Sequence, residues 1–293
     1  MDSMTLAPPA SRRTFRLSGN SVLLIIGLLL LVVPTILRLA DQFWSTEEGV
    51  HGPIVLATGS WLIWRRWDEI RANAVPGNSF LAWFGLTGSL LVYIFGRSFD
   101  FLSLEVAALL GVMLAVAYSF VGFRVLQSLW FPIFYALFLV PMPGWFVDYI
   151  TAPLKEFVSY AAEGVLSWAG YAIVRQGVVL YIDQYQLLVE DACAGLNSIF
   201  SLTSISLFYI YLRHNASWRY AFFLVLWIIP IAVLANVIRV IVLVLITHYW
   251  GEEAAQGFLH TGAGMLMFTV ALLGIMALDT LIEFTLSKKR VAR

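Results

Sequence analysis

Charge is scarce in this 293-residue chain: Asp, Glu, Lys and Arg fill 12% of positions while hydrophobic residues fill 60%, against about 25% and 45–50% in a soluble domain. A soluble monomer has no interior large enough to hide that much apolar side chain, whereas lipid accepts it. At about 20 residues per crossing, the length allows six to nine spans with short loops. The charges that exist cancel, 18 against 18, so the basic face that nucleic acid requires is missing. Cysteine is nearly absent too. Cys193 is the single one, which excludes an intramolecular disulfide and any CxxC redox chemistry. There is no internal repeat, low-complexity tract or nucleotide-binding glycine loop, and nothing in the pattern asks for a cofactor or a metal.

What is present is a series of long apolar runs. Backbone amides in lipid must satisfy one another, so runs of this length are helices. Spans are expected near 21–39, 51–64, 79–96, 100–121, 125–142, 195–212, 219–249 and 257–285, the second short and the seventh long, with Pro230 bending the seventh. Arg12, Arg13 and Arg16 before the run Ser21 to Leu39 give the N-terminus the look of a signal peptide. That run is too long and no small-residue cleavage site follows it, so it reads as a retained first span. The expected organisation is a cytoplasmic tail (1–20), a membrane domain (21–286) and a basic cytoplasmic tail (287–293). Lys and Arg stay on the cytoplasmic side of a membrane. With the N-terminus inside, 13 of the 18 basic residues fall in cytoplasmic segments, among them Arg65, Arg66, Arg71, Arg124, Arg213, Arg219 and Lys288. Both termini are therefore expected on the cytoplasmic side. Trp44, Trp61, Trp64, Trp130, Trp145 and Trp250 fall at expected interfaces, an ordinary aromatic belt.

One outer segment, 143–190, is too long for a plain loop. Trp145 to Val174 mixes apolar residues with Asp148, Lys155, Glu156 and Glu163, which suits a helix or helix pair lying at the outer interface. Gly177 to Ile182 and Tyr185 to Glu190 are β-rich runs separated by Asp183-Gln184, the pattern of a hairpin. The expected fold is thus an all-α polytopic membrane protein with about eight transmembrane helices, an extracytoplasmic interfacial helix and a β-hairpin before the sixth span.

Three residues on that outer side can carry chemistry. Cys193 sits where strand becomes helix, and the positive end of a helix dipole favours the thiolate; a lone cysteine in a membrane protein is nonetheless more often a packing residue. Arg239 lies among apolar residues, with Asn236 on the same helical face. An arginine in a span costs at least about 2.5–3.5 kcal/mol, so it needs a polar partner, a water-filled cavity or a path to the interface. His260 opens the last span with Gly264 and Phe268 on one stripe, and the glycine allows close helix approach. Histidine is a general base near neutral pH, although an interfacial histidine is usually a polar contact only. The topology brings Cys193, Arg239 and His260 to one depth. Nucleophile, base and oxyanion stabiliser make a complete acyl-transfer set. His51, at the outer start of the second span, lines the same site or is a plain interfacial residue. Glu190 and Asp191 orient His260, shape the field at the thiol or cap the sixth span. His214 and His248 read as span-end residues.

Ala192-Cys193-Ala194-Gly195-Leu196, Asn236-Val-Ile-Arg239 and His260-x-x-x-Gly264-x-x-x-Phe268, in that order, resemble the exosortase/archaeosortase family of membrane enzymes, and the similarity runs from about His51 to Phe268. The resemblance implies cleavage or transfer of exported proteins at a C-terminal signal made of a short motif, a hydrophobic helix and a basic tail, as in PEP-CTERM proteins. It implies Cys193 as nucleophile, His260 as base and Arg239 as the third catalytic residue, with no cofactor. Ala194 stands where many members have serine, which marks a subfamily with another substrate. Coupling to polysaccharide export would need separate partners, since no soluble domain follows the last span. Two rivals stand beside this reading: a transporter or lipid-handling protein with Arg239, Asn236 and Pro230 along its path, and an assembly factor without chemistry. Polar residues gathered at one depth, not along a path, argue against both.

Overall fold

A computed structural model describes residues 19–46, 49–188, 194–214, 218–256, 269, 272–274 and 276–281 of the chain. The elements in order are α1 (Gly19–Gln42), α2 (Gly52–Arg65), α3 (Trp67–Asn73), α4 (Ser79–Ser98), α5 (Leu102–Ser128), α6 (Trp130–Ala136) with a 3-10 turn at Leu137–Leu139, and α7 (Gly144–Trp168). Then come β1 (Ile173–Gln176), β2 (Val179–Ile182), β3 (Tyr185–Leu188), α8 (Ala194–His214), α9 (Trp218–Trp250) and α10 (Glu252–Gln256). An apolar helical stretch, Leu272–Leu281, follows.

Four helices among the described residues are long and apolar enough to cross a membrane: Val22–Gln42, Ser79–Ser98, Leu102–Ser128 and Ile229–Trp250. The chain is a multi-pass membrane protein. Not every expected span is a simple rod. At 14 residues, α2 is about 21 Å long, short of the roughly 30 Å hydrocarbon layer. The stretch 125–142 is broken. Helix α5 continues to Ser128, Leu129 interrupts, α6 and its 3-10 turn reach Leu139, and α7 leaves at 93°. Pro141 and Pro143 lie at that corner and supply no amide hydrogen to continue a helix. Counting the pair as one broken span brings the total to five. Pro230 lies inside α9, which is one element across it, and most of the expected span 257–285 lies outside the described residues.

Local chemistry explains the joints. Asn78 caps α4, its side-chain oxygen accepting from the amides of Phe80 (2.8 Å) and Leu81 (3.3 Å). Gly122, inside α5, has φ +73, and a β-carbon there would stand 2.2 Å from the carbonyl oxygen of Val75. Only glycine fits where the linker into α4 crosses α5, bonding Val75 N to Val121 O and Gly77 N to Tyr118 O.

Helix α7 ends at Trp168, short of the 145–174 expected for the outer helical part. Gly170 (φ +94) turns the chain, and 173–176 becomes β1, the outer strand of a three-stranded antiparallel sheet in the order β1-β2-β3. Strands β2 and β3 pair with Ile182 opposite Tyr185 across Asp183-Gln184. Asp183 has φ +52, a left-handed conformation that aspartate tolerates better than most side chains.

The two larger apolar clusters among the described residues position the site. One joins Leu39, Val55, Leu62, Val106, Phe131, Tyr135, Leu139 and Leu207, drawn from α1, α2, α5, α6, the 3-10 turn and α8. Within it the rings of Phe131 and Tyr211 stack at 3.9 Å. The other packs Val158, Ala162 and Leu166 of α7 and Ile173, Leu180 and Ile182 of the sheet against Val237, Val240 and Val244 of α9.

Candidate functional site

Helix α9 has 33 residues, about 50 Å at 1.5 Å per residue. Its buried positions, Ala232, Ala235, Asn236, Val237, Arg239, Val240, Val244 and Thr247, form a stripe at three- and four-residue spacing, while Leu234, Ile238 and Val242 on other faces are exposed. Arg239 is 5% exposed and Asn236 3%. A guanidinium and an amide are therefore held inside protein and do not reach for solvent. Arg239 lies 21 residues, about 31 Å, from the start of α9 and 11 residues, about 16 Å, from its end. That last part is the part sheathed by α7 and the sheet.

The sheet is also tied to the end of α9 by polar contacts. Nδ1 of His248 pairs with the carboxylate of Asp183 in the β2–β3 turn. The hydroxyls of Tyr171 and Tyr249 meet at 3.0 Å. This bond, together with desolvation and the charge on Tyr249 when ionised, raises the Tyr171 phenol above its ordinary value of 10.0.

His51 is buried at the start of α2, its Nε2 3.1 Å from the carbonyl oxygen of Phe138. It lines an apolar cavity of about 200 Å³ with Phe43, Phe134, Phe138, Met142 and Val147. Its neighbours belong to the α1–α2–α6 cluster, whereas Arg239 sits beside the α7–sheet cluster. Arg239 and Asn236 thus stand together on α9. Cys193, Glu190, Asp191, His260 and Gly264 lie outside the described residues.

Three polar clusters escaped the sequence reading. Glu105, fully buried in α5, accepts from Thr35 (2.7 Å), Arg38 and Arg97 (2.9 Å), and Arg38 also binds Asp100 at 2.7 Å. The second is His248 with Asp183. The third joins α8 to the C-terminal helical stretch: Tyr209 donates to Asp279 at 2.9 Å, and Arg213 donates to the Tyr209 hydroxyl at 2.8 Å. The one available signal was a carboxylate, Glu105 or Asp279, inside an apolar run, which demands a partner.

These elements define a polytopic membrane protein with a buried cation on a long helix capped by a small sheet. The sequence model of the transmembrane exosortases matches residues 44–277, and the chain belongs to that family. No curated protein and no solved structure matches it.

Proposed function

We propose that the chain is a membrane cysteine peptidase or transpeptidase acting on exported proteins at the outer face of a bacterial cytoplasmic membrane. The substrates end in a short motif, an apolar helix and a basic tail, and that helix enters beside the spans carrying Cys193, Arg239 and His260. The Cys193 thiolate attacks the carbonyl carbon just outside the lipid, and Arg239 stabilises the oxygen as charge develops. The C–N bond breaks, His260 passes its proton to the leaving amine, and a thioester remains on Cys193. Water or an acceptor amine then takes the acyl group and frees the thiol.

The observation that carries this reading is the burial of Arg239 beside Asn236 at the level where α7 and the sheet close over α9. A buried guanidinium requires partners and in a membrane protein marks a functional site. In the chain, Cys193 follows Leu188, the last residue of β3, by five positions, and β3 belongs to the sheet that packs on the arginine's helix. The Arg213–Asp279 pair joins α8 to the C-terminal stretch, and Cys193 lies 20 residues before Arg213 in the chain while His260 lies 19 before Asp279.

In this reading eight spans cross the bilayer, α7 lies at the outer interface, both termini are cytoplasmic, and Gly264 allows the last span its close approach. Asp191 and Glu190 shape the field at the thiol, His51 lines the approach, and polysaccharide export machinery acts as a separate partner. The test is processing, in cells, of an exported reporter with such a C-terminal signal by variants Cys193→Ala, Arg239→Gln and His260→Ala. Unprocessed reporter accumulates in each while the enzyme stays in the membrane at its normal level. Full processing by Cys193→Ala overturns the proposal.

A further inference from the structure

The corner after α6 leaves a space that the chain does not fill. Pro141 and Pro143 end the α6 arm and α7 departs at 93°, and between this corner and the start of α2 lies the cavity of about 200 Å³ that His51 lines. Its walls are rings: Phe43 stands edge-on to His51 at 6.4 Å, and Phe134 edge-on to Phe138 at 6.1 Å. Seven of the eight lining residues are apolar. The eighth, His51, turns Nε2 to the carbonyl oxygen of Phe138, so that nitrogen is engaged with the wall. A buried water needs two to four polar partners, and an apolar cavity of about 150 Å³ excludes water while admitting benzene. This cavity is larger, and what suits it is hydrocarbon.

The mouth decides where that hydrocarbon comes from. Leu137 is 55% exposed, Phe134 43% and Met142 39%, so the lining runs without a polar break onto the exposed side of the α6 arm, itself half of a broken membrane span. Phe43 directly follows α1, a crossing that ends at Gln42, and acyl chains of one leaflet hang at that depth. A substrate helix, about 10 Å across, could offer the cavity only a side chain, whereas an acyl chain is narrow enough to enter it along its length. We propose that the cavity is a lipid site, in which one acyl chain of a phospholipid passes Leu137 and lies against the rings of Phe43, Phe134 and Phe138. Release from water does not drive this, since the chain leaves hydrocarbon for hydrocarbon. Contact does: atoms lining a void lack partners on one side, and the chain supplies them. Seated there, it braces the corner from which α7 departs, and α7 packs through Val158 and Ala162 on Val237 and Val240 of α9. The inference concerns the cavity and does not depend on the roles given to Cys193, Arg239 and His260.

The test uses the full-length protein in detergent, photolysed with an equimolar phospholipid that carries a diazirine in one acyl chain, with adducts mapped by peptide mass spectrometry. Label falls on Phe138 and Met142 severalfold above Phe84, which is 73% exposed on α4 and meets detergent and lipid without a cavity. Val140→Trp fills the cavity and brings the label at Phe138 and Met142 down to the Phe84 level. Leu137→Trp, at an exposed position, closes the mouth with the same effect and decides the matter if Val140→Trp fails to fold. Added phospholipid raises the melting temperature of the wild type more than that of Leu137→Trp, because a ligand of the native state stabilises it. Label spread evenly over Phe138, Met142 and Phe84, or cavity label that survives Leu137→Trp, overturns the lipid site. Displacement of the cavity label by an equimolar peptide with an apolar helix and a basic tail also overturns it, since the occupant is then the substrate.

Discussion

Nε of Arg213 stands 3.4 Å from Oδ2 of Asp279, a carboxylate with no exposed surface. Tyr209 donates to the same oxygen, so two side chains of α8 and one of the C-terminal helical stretch form a single polar knot. It ties α8 to that stretch.

Removing Asp279 leaves Arg213 and the Tyr209 hydroxyl without their carboxylate. Arg213 is 39% exposed and can turn to water, so the cost falls below that of a fully buried pair, at about 1–3 kcal/mol. Asp279→Ala should therefore lower the melting temperature in detergent by several degrees, and Asp279→Asn by less because it keeps an acceptor for Tyr209. An unchanged melting temperature in Asp279→Ala would show that the knot does not hold the two elements.

Glu105 is a stronger case. Its carboxylate has no exposed surface and is met by Arg38 and Arg97, so Glu105→Gln leaves two cations facing a neutral amide. Breaking a buried pair in this way costs about 3–5 kcal/mol. Arg97→Gln costs less, since Arg97 is 40% exposed and Arg38 remains. Membrane abundance and thermal unfolding should rank wild type, Arg97→Gln and Glu105→Gln in that order.

Gly122→Ala tests the crossing of α5 by the linker into α4. The new methyl would need the Val75 carbonyl to move from 2.2 Å and the backbone to keep φ +73, at a cost of more than about 1 kcal/mol. Gly88→Ala, whose β-carbon meets nothing within 4 Å, serves as control and should be neutral or slightly stabilising in mid-helix. Chemical denaturation of the two variants side by side checks the contrast.

The Tyr171 phenol gives a prediction in pH. Its folded value is raised above 10.0, first by the hydrogen bond to Tyr249. A group raised on folding binds its proton more tightly in the native state. Its contribution is therefore complete below the unfolded value and is lost as pH rises through the folded one. The melting temperature of the wild type should fall more steeply than that of Tyr171→Phe as pH rises above about 10, and the two should run parallel between pH 6 and 9.

Much of this fold could be read from the sequence, for a physical reason: lipid forces every apolar run to satisfy its own backbone, so runs such as Val22–Gln42 and Ile229–Trp250 declare themselves as helices. The turn residues Asp183-Gln184 likewise mark where β2 and β3 reverse. What hydropathy does not carry is geometry between remote parts. Ile173-Val174 reads as a continuation of an apolar helix, yet β-branched residues beyond Gly170 pair with β2. The run 125–142 is apolar throughout, and only Pro141 and Pro143 hint at the 93° corner. Glu105 and Arg38 are 67 residues apart, and nothing along the chain says that they meet. For the site itself, the sequence offers candidates by residue type and expected depth, and of these Arg239, Asn236 and His51 lie among the described residues. The burial of Arg239 and Asn236, and the polar contacts that tie the sheet to α9, emerge only from packing.

The central claim is that Cys193 forms a covalent acyl intermediate. The most direct measurement is mass spectrometry of Cys193 in the wild-type enzyme quenched with acid during turnover of the exported reporter, since acid stops release of the acyl group. The account predicts a substrate-derived adduct on Cys193 that hydroxylamine removes and that is absent from the Arg239→Gln and His260→Ala enzymes. Reporter cleaved by the wild type with no adduct on Cys193 in the quenched enzyme, and with undiminished cleavage by Cys193→Ala, would contradict it.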